Sequence, residues 1–255
     1  MNAKTRQSLI DLNRLFYAGL AEEFSDSRQY SWPGWSRALS HLKPPDDHPI
    51  SVLDVGCGNG RLVSFLEKDL GSAYHYLGLD SSPALLSHAL ACHASLPHVK
   101  FEDLEILDPA VRLAPEGLRF DLIALFGVLH HVPSEGSRRE LMQRLVARLR
   151  PGGLLIVTAW QFGAFERFRA RIIPWEEYNA RARDPIDERE LEVGDHLLRW
   201  GESSLPRYCH FAPPDELREL STLKSAEWVD EFSADGKTGD LNRYLVLRRG
   251  RDAND

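Results

Sequence analysis

The residues best placed to do chemistry lie in the run Val52-Leu53-Asp54-Val55-Gly56-Cys57-Gly58-Asn59-Gly60-Arg61-Leu62. Glycine at every second position lets backbone approach a ligand closely, and a helix starting after Gly60 adds unpaired N–H groups at its N-terminus. A dinucleotide-binding loop would read GxGxxG and seat a pyrophosphate. The pattern here is Asp-x-Gly-x-Gly-x-Gly, and a carboxylate at Asp54 repels pyrophosphate while suiting an ammonium group. Twenty residues past Gly60, Asp80 supplies a second carboxylate, placed to accept both hydroxyls of a ribose. The three cysteines, Cys57, Cys92 and Cys209, are too few and too scattered for a disulfide framework. No CxxC or Cys/His spacing offers a metal site, so no metal is expected.

These groups need a sheet and helices to hold them. Strands are expected at residues 50–55, 74–79, 99–101, 121–126 and 154–159, and helices at 61–70, 83–93 and 135–149. Apolar strands alternating with helices indicate a doubly wound α/β fold with a parallel sheet covered on both faces. An amphipathic helix at 5–25 and a short helix up to about Leu42 precede this core, and Lys43-Pro44-Pro45-Asp46-Asp47 links them to it. The chain is expected to form a single domain. Residues 1–48 make an N-terminal helical cap, 49–160 the cofactor-binding core, 161–210 a helical insertion at the acceptor site, and 211–249 a closing helix and strands.

The 255 residues carry 31 Lys plus Arg against 38 Asp plus Glu, a net charge of −7. That balance argues against general coating of nucleic acid, and no DNA partner is expected. The absence of a signal-peptide pattern and of any apolar run of about 18 residues predicts a cytoplasmic protein with no membrane partner.

The glycine loop, the acid twenty residues on, Phe120-Asp121 and the turn Arg150-Pro151-Gly152-Gly153 occur in the order found in S-adenosylmethionine-dependent methyltransferases of the Rossmann-like class. The sequence resembles that class from about residue 50 to 160, which implies its seven-stranded sheet and S-adenosyl-L-methionine as cofactor. By this resemblance Asp54, Gly56, Cys57, Gly58 and Gly60 face the methionine half. Asp80, with Ser81 beside it, holds the ribose. Glu105 and Ile106 read the adenine, with Asp103 and Asp108 as alternatives to Glu105, and Phe126 completes the set.

Outside the core, Phe24-Ser25-Asp26-Ser27-Arg28 with Trp32-Pro33, the His130-His131 pair, Ala159-Trp160 and Gly194-Asp195 with Arg207-Tyr208-Cys209-His210 point further. Together they resemble the tRNA wobble-uridine carboxymethyl methyltransferases, which convert a 5-carboxymethyl group on the anticodon uridine to its methyl ester. The resemblance implies tRNA as partner. A carboxylate acceptor is ionised at neutral pH and needs no general base. It needs capture, desolvation and alignment. Arg28, Arg207 and His210 are expected to form that clamp, since the guanidinium fork pairs both carboxylate oxygens. His131 is expected to orient the acceptor, Asp195 to hold one arginine, and Trp160 to line the site.

Two other functions are consistent with the residues. One is methylation of a small-molecule acid, amine or phenol in a closed pocket; the other is a non-catalytic cofactor-binding partner protein. Eukaryotic members of the tRNA family work with a small zinc-containing activator that covers an apolar sheet edge. A charged edge at the second and third strands would predict a chain that acts alone.

Overall fold

The computed structural model describes residues 1–28 and 30–250, so Gln29 and the last five residues of the expected domain lie outside it. Seven strands form the central sheet: β1 (Ile50–Val55), β2 (Tyr74–Asp80), β3 (Val99–Asp103), β4 (Phe120–Leu125), β5 (Leu149–Trp160), β9 (Ala226–Ala234) and β10 (Asn242–Arg249). Their order is β3-β2-β1-β4-β5-β10-β9. The first five run parallel, and β10 is antiparallel to both β5 and β9. The order reverses between β1 and β4, and in open α/β sheets a ligand crevice opens beyond the C-terminal ends of the strands at such a point. Gly56 and Phe126 leave the sheet there.

Both faces of the sheet are packed. On one, Leu141, Met142 and Leu145 of α5 (Glu135–Val146) and Leu217 and Leu220 of α8 (Pro214–Ser221) bury against β4 and β5. On the other, Leu62, Val63 and Leu66 of α3 (Arg61–Leu70) join Leu86 of α4 (Pro83–His93) and Trp35 of α2 (Gly34–Leu39). Each fully buried leucine contributes about 1.5–3 kcal/mol through area removed from water. Capping chemistry starts two of these helices: Ser82 Oγ accepts from Leu85 N–H with Pro83 at the first helical position, and Ser134 Oγ accepts from Ser137 N–H. The helix expected to reach Leu149 stops at Val146, because Leu149 pairs with Phe120 as the first residue of β5.

The insertion differs from the expected helical unit. It holds two helices of one turn, α6 (Glu166–Arg169) and α7 (Trp175–Asn179), and a three-stranded antiparallel sheet of β6 (Ile172–Ile173), β7 (Asp195–Leu198) and β8 (Arg207–His210). Pro174 and Pro185 break the Arg/Glu-rich stretch into pieces too short for longer helices. Leu197, Leu198, Tyr208 and Cys209 are instead buried strand residues.

The N-terminal helix α1 (Ala3–Asp26) is kinked at Leu20 and lies across the crevice against β8. Buried Asn13 ties the two together, its Oδ1 accepting from Tyr208 N–H at 2.9 Å. Asn13→Leu strands that buried N–H, at a cost of about 1–3 kcal/mol. Urea unfolding of the variant should show that loss with an unchanged slope, and equal stability to the native chain would contradict this account of how α1 is anchored.

Candidate active site

The crevice is a cavity of about 1320 Å³. A pocket for one small ligand spans roughly 300–1,000 Å³, so there is room for two. Its floor is the glycine loop. Gly56 has φ +77°, and a Cβ there would lie 2.2 Å from Val128 Cγ2, so side-chain-free backbone is required. Gly58, at φ +55°, lines the cavity, and a Cβ on it would meet no protein atom. Asp80 holds the loop from the next strand, Oδ2 accepting from Gly58 N–H at 2.8 Å and Oδ1 from Ser82 N–H at 2.9 Å. Asp54 accepts from Tyr76 O–H at 2.6 Å. Burial pushes the Asp54 carboxyl up to about 7 and Asp80 up to about 6. Both therefore gain from a cation or from hydroxyl donors in the cavity.

Cys57, Ser81, Ile106 and Phe126 also line the cavity. Gly60 does not. It takes φ +76° to start α3, and a Cβ on it would press on Ala89 and Phe101 at 3.0 Å, so its role is packing. Glu105 lines the cavity while Asp103 and Asp108 do not. Its Oε2 is paired with Arg14, at 2.9 Å from Nε, and its Oε1 accepts from Leu107 N–H at 3.1 Å.

Above the loop, α1 and β8 bring two guanidinium groups together. Arg28 stacks on Phe24 at 3.8 Å and on Trp200 at 4.9 Å. Arg207 stacks on Trp200 at 5.1 Å, on Trp160 at 4.9 Å and on Phe16 at 5.2 Å. Among the described residues neither has a carboxylate within ion-pair distance. Arg207 is 3% exposed, and among the described residues its Nε has no hydrogen-bond partner. Burial, reinforced by repulsion from Arg207 and Arg61, lowers the Arg28 pKa to about 9. A third cation, Arg61, lies over Trp32 at 4.6 Å, its pKa lowered by burial to about 10. Aromatic faces stabilise such cations without neutralising them, and an anion entering the cavity would meet them already desolvated.

His131 lines the same space, held on both ring nitrogens. Nδ1 lies 2.9 Å from Tyr208 O and 3.1 Å from Asn13 Nδ2, and Nε2 lies 2.8 Å from Tyr17 Oη. Burial and the Arg207 charge lower its pKa to about 3, so it stays neutral and acts on the site through Tyr17 rather than as a proton carrier. His130, neutral for the same reason, packs edge-on to Trp160. His130, His131 and Cys209 come within 4.8 Å of one another, a cluster built through space that no sequence spacing announces. His131 Nδ1 is already engaged there by Tyr208 and Asn13.

His210 and Asp195 are not in the clamp, which is a correction to the expected site. Side chains alternate along a strand, so Arg207 and Cys209 face the cavity side while Tyr208 and His210 face the other. There Asp195 Oδ1 accepts from Tyr208 O–H at 2.7 Å and lies 2.8 Å from His210 Nδ1. His210 Nε2 is 2.9 Å from Glu216, and Arg138 pairs with Glu192 and Glu216, both at 2.7 Å. This buried knot fastens β7 and β8 to α5 and α8, so His210 and Asp195 position the strand that carries Arg207. The sequence left Tyr17 and Arg61 out of the site, with only the helical stripe around Tyr17 and the start of α3 as signals for them; Trp200, in the Gly194–Trp200 run, was legible as a possible stacking residue but was not placed in the site.

Burial opposes the charged form of His210, but its hydrogen bonds to Asp195 and Glu216 outweigh this and raise its pKa above 6.5. Burial likewise opposes ionised Asp195 and Glu216, and the same bonds hold them below 3.8 and 4.5. The knot's stabilisation is therefore complete between 4.5 and 6.5. It declines as pH rises through the His210 value and as pH falls through those of the carboxylates. His210→Leu should cost about 3–5 kcal/mol inside that window, with a difference from the native chain that narrows on either side. A pH-independent difference in thermal unfolding would contradict the ionic reading.

Residues 53–155 match the methyltransferase domain family. The chain is 29% identical over 149 residues to a tRNA (carboxymethyluridine(34)-5-O)-methyltransferase of Arabidopsis thaliana, covering 56% of this chain and 31% of the relative. It is 32% identical over 123 residues to a tRNA U34 carboxymethyltransferase of Pseudoalteromonas translucida, covering 48% and 35%. The chain thus spans about a third of the length of these relatives. Among solved structures, the 1,6-didemethyltoxoflavin-N1-methyltransferase of Burkholderia thailandensis superposes with a TM-score of 0.64 at 17% identity, over 99% of this chain and 92% of that one. Residues 53–155 thus match a methyltransferase domain, the chain has the Rossmann-like fold of S-adenosylmethionine-dependent enzymes, and its sequence resembles the tRNA wobble-uridine carboxymethyl methyltransferases.

Proposed function

We propose that this protein is an S-adenosylmethionine-dependent methyltransferase that esterifies the carboxylate of 5-carboxymethyluridine at the tRNA wobble position. The observation that carries the reading is the pair of guanidinium groups, Arg207 buried and Arg28 half-buried, sharing Trp200 with no carboxylate partner among the described residues. Two desolvated cations favour an anionic acceptor and disfavour an amine, which is cationic at neutral pH. A phenol would need a base, and His131 is held neutral with both ring nitrogens occupied. A small carboxylic acid would satisfy the same clamp, and the cavity volume together with the resemblance of the flanks favours the nucleoside.

The cavity fits the cofactor on its own chemistry. Asp54 suits the amino group, Asp80 retains acceptor capacity for ribose hydroxyls, and Arg61, beside the loop, suits a carboxylate. When bound, S-adenosylmethionine supplies an electrophilic methyl group on a sulfonium centre. The chain's own contribution is to hold and dry the acceptor. Arg28 and Arg207 fix both oxygens of its carboxylate, and Trp160, Trp200 and Phe24 keep water from solvating it. His131 holds Tyr17 against the same space. No residue has to accept a proton, because the carboxylate arrives ionised. Asp54 binds an ammonium group as a carboxylate, so the cofactor is held more tightly as pH rises toward 7.

The outer strand β3 leaves Lys100, Glu102 and Asp103 exposed. A charged edge is a poor seat for an apolar activator, and the chain is inferred to act alone.

The purified chain, incubated with labelled S-adenosylmethionine and tRNA carrying 5-carboxymethyluridine, should yield the methyl ester on nucleoside mass analysis. Label in a small acid and none in tRNA would replace the substrate reading. Asp80→Ala should abolish cofactor binding in calorimetric titration. Arg207→Ala should leave it intact while lowering transfer by two or more orders of magnitude, in the range of a lost electrostatic contact of about 2.7–4 kcal/mol. Loss of cofactor binding in Arg207→Ala would sink the clamp.

A further inference from the structure

Several arginines of the insertion are paired with nearby carboxylates, among them Arg189 with Asp187. Arg169 pairs with Glu166, and Arg181 and Arg199 pair with Glu177. Such pairs neutralise their charges at the surface. Arg167 and Arg171 are exposed and have no carboxylate within ion-pair distance among the described residues, and Lys237, in the turn between β9 and β10, shares that state.

Arg183 is also exposed without an ion pair among the described residues but does not line the cavity, whereas the other unpaired cations of this group stand at its mouth. Arg171 and Lys237 line the cavity, and Arg167 lies over Phe168, itself a lining residue, at 4.7 Å. Tyr30, 85% exposed, lines the same mouth from the link between α1 and α2. The carboxylates of the cavity wall are meanwhile engaged. Glu105 is held by Arg14, and Asp235 accepts from Asn242 and Tyr244. Three separate segments thus place free cations and one exposed aromatic ring around the opening that leads to Arg28 and Arg207.

We propose that Arg167, Arg171 and Lys237 form a phosphate-binding rim for a single-stranded RNA loop, with Tyr30 stacking on a base beside the one that enters the cavity. This rests on the reading of the acceptor as a tRNA nucleoside. Phosphate contacts position a strand without reading its sequence, and stacking on an aromatic face tolerates any base. A few unpaired cations at the entrance give an acidic protein local affinity for a polyanion, with no need for a basic surface.

The test is the salt dependence of binding to an anticodon stem-loop RNA carrying 5-carboxymethyluridine, with S-adenosylhomocysteine present, over about 50–200 mM salt. Each lost phosphate contact to a single strand lowers the slope of log affinity against log salt by about 0.7, so the triple variant Arg167→Ala/Arg171→Ala/Lys237→Ala should lose about 2. Arg181→Ala, whose guanidinium is already paired, should keep the native slope. Tyr30→Ala should weaken binding about tenfold at every salt concentration. A native chain that methylates the RNA while the triple variant keeps its slope overturns the rim alone. A native chain that binds no RNA overturns both the rim and the substrate reading beneath it.

Discussion

Two positive charges held side by side, one buried and one half-buried, are unfavourable unless the protein keeps them there. Arg28 sits in the turn two residues past a 24-residue helix and Arg207 on a four-residue strand of the insertion, more than 170 residues later in the chain. Much of the structure outside the sheet bears on keeping those two ends together. Asn13 joins α1 to the Tyr208 backbone, His131 joins both to the end of β4, and the knot around His210 fixes the far face of β8. Trp200, Trp160, Phe16 and Phe24 supply faces that stabilise the guanidinium groups without neutralising them. The site keeps its charge for a ligand.

The net charge of −7 gains a different meaning from this arrangement. Most acidic side chains near the insertion are spent on local pairs. Arg28, Arg61, Arg171, Arg207 and Lys237 line the cavity without an ion pair among the described residues, and there they act over short distances. Long-range attraction for a polyanion is weak on such a protein, and the proposed RNA recognition rests on contacts made close in, each of them sensitive to salt.

Much of the core was legible in the sequence because its signals are local. A strand, a glycine turn with an acid before it and a helix follow one another within a dozen residues, and each strand of the parallel sheet announces itself by its own apolar run. The insertion was misread because its Arg/Glu-rich stretches look helical, whereas Pro174 and Pro185 limit each helix to a single turn and pairing builds a small sheet. That error explains the one about His210. Treated as part of a helical lid, it was free to join Arg207; on a strand, three residues apart means opposite faces. Tyr17 was hidden for another reason. Its role exists only through contacts with residues distant in sequence, and nothing beside it in the chain records those contacts.

The central claim is that Arg28 and Arg207 hold the acceptor by its negative charge. The most direct measurement compares the affinity of the native chain, loaded with S-adenosylhomocysteine, for two RNA stem-loops that differ only in a wobble 5-carboxymethyluridine or its carboxamide counterpart. The two ligands match in size and stacking surface and differ in charge. Charge-assisted pairing to these guanidinium groups predicts that the carboxylate binds about tenfold to a hundredfold more tightly, as expected for hydrogen bonds worth about 1.5–3 kcal/mol. Equal affinity would show that the two arginines serve some other part of the molecule.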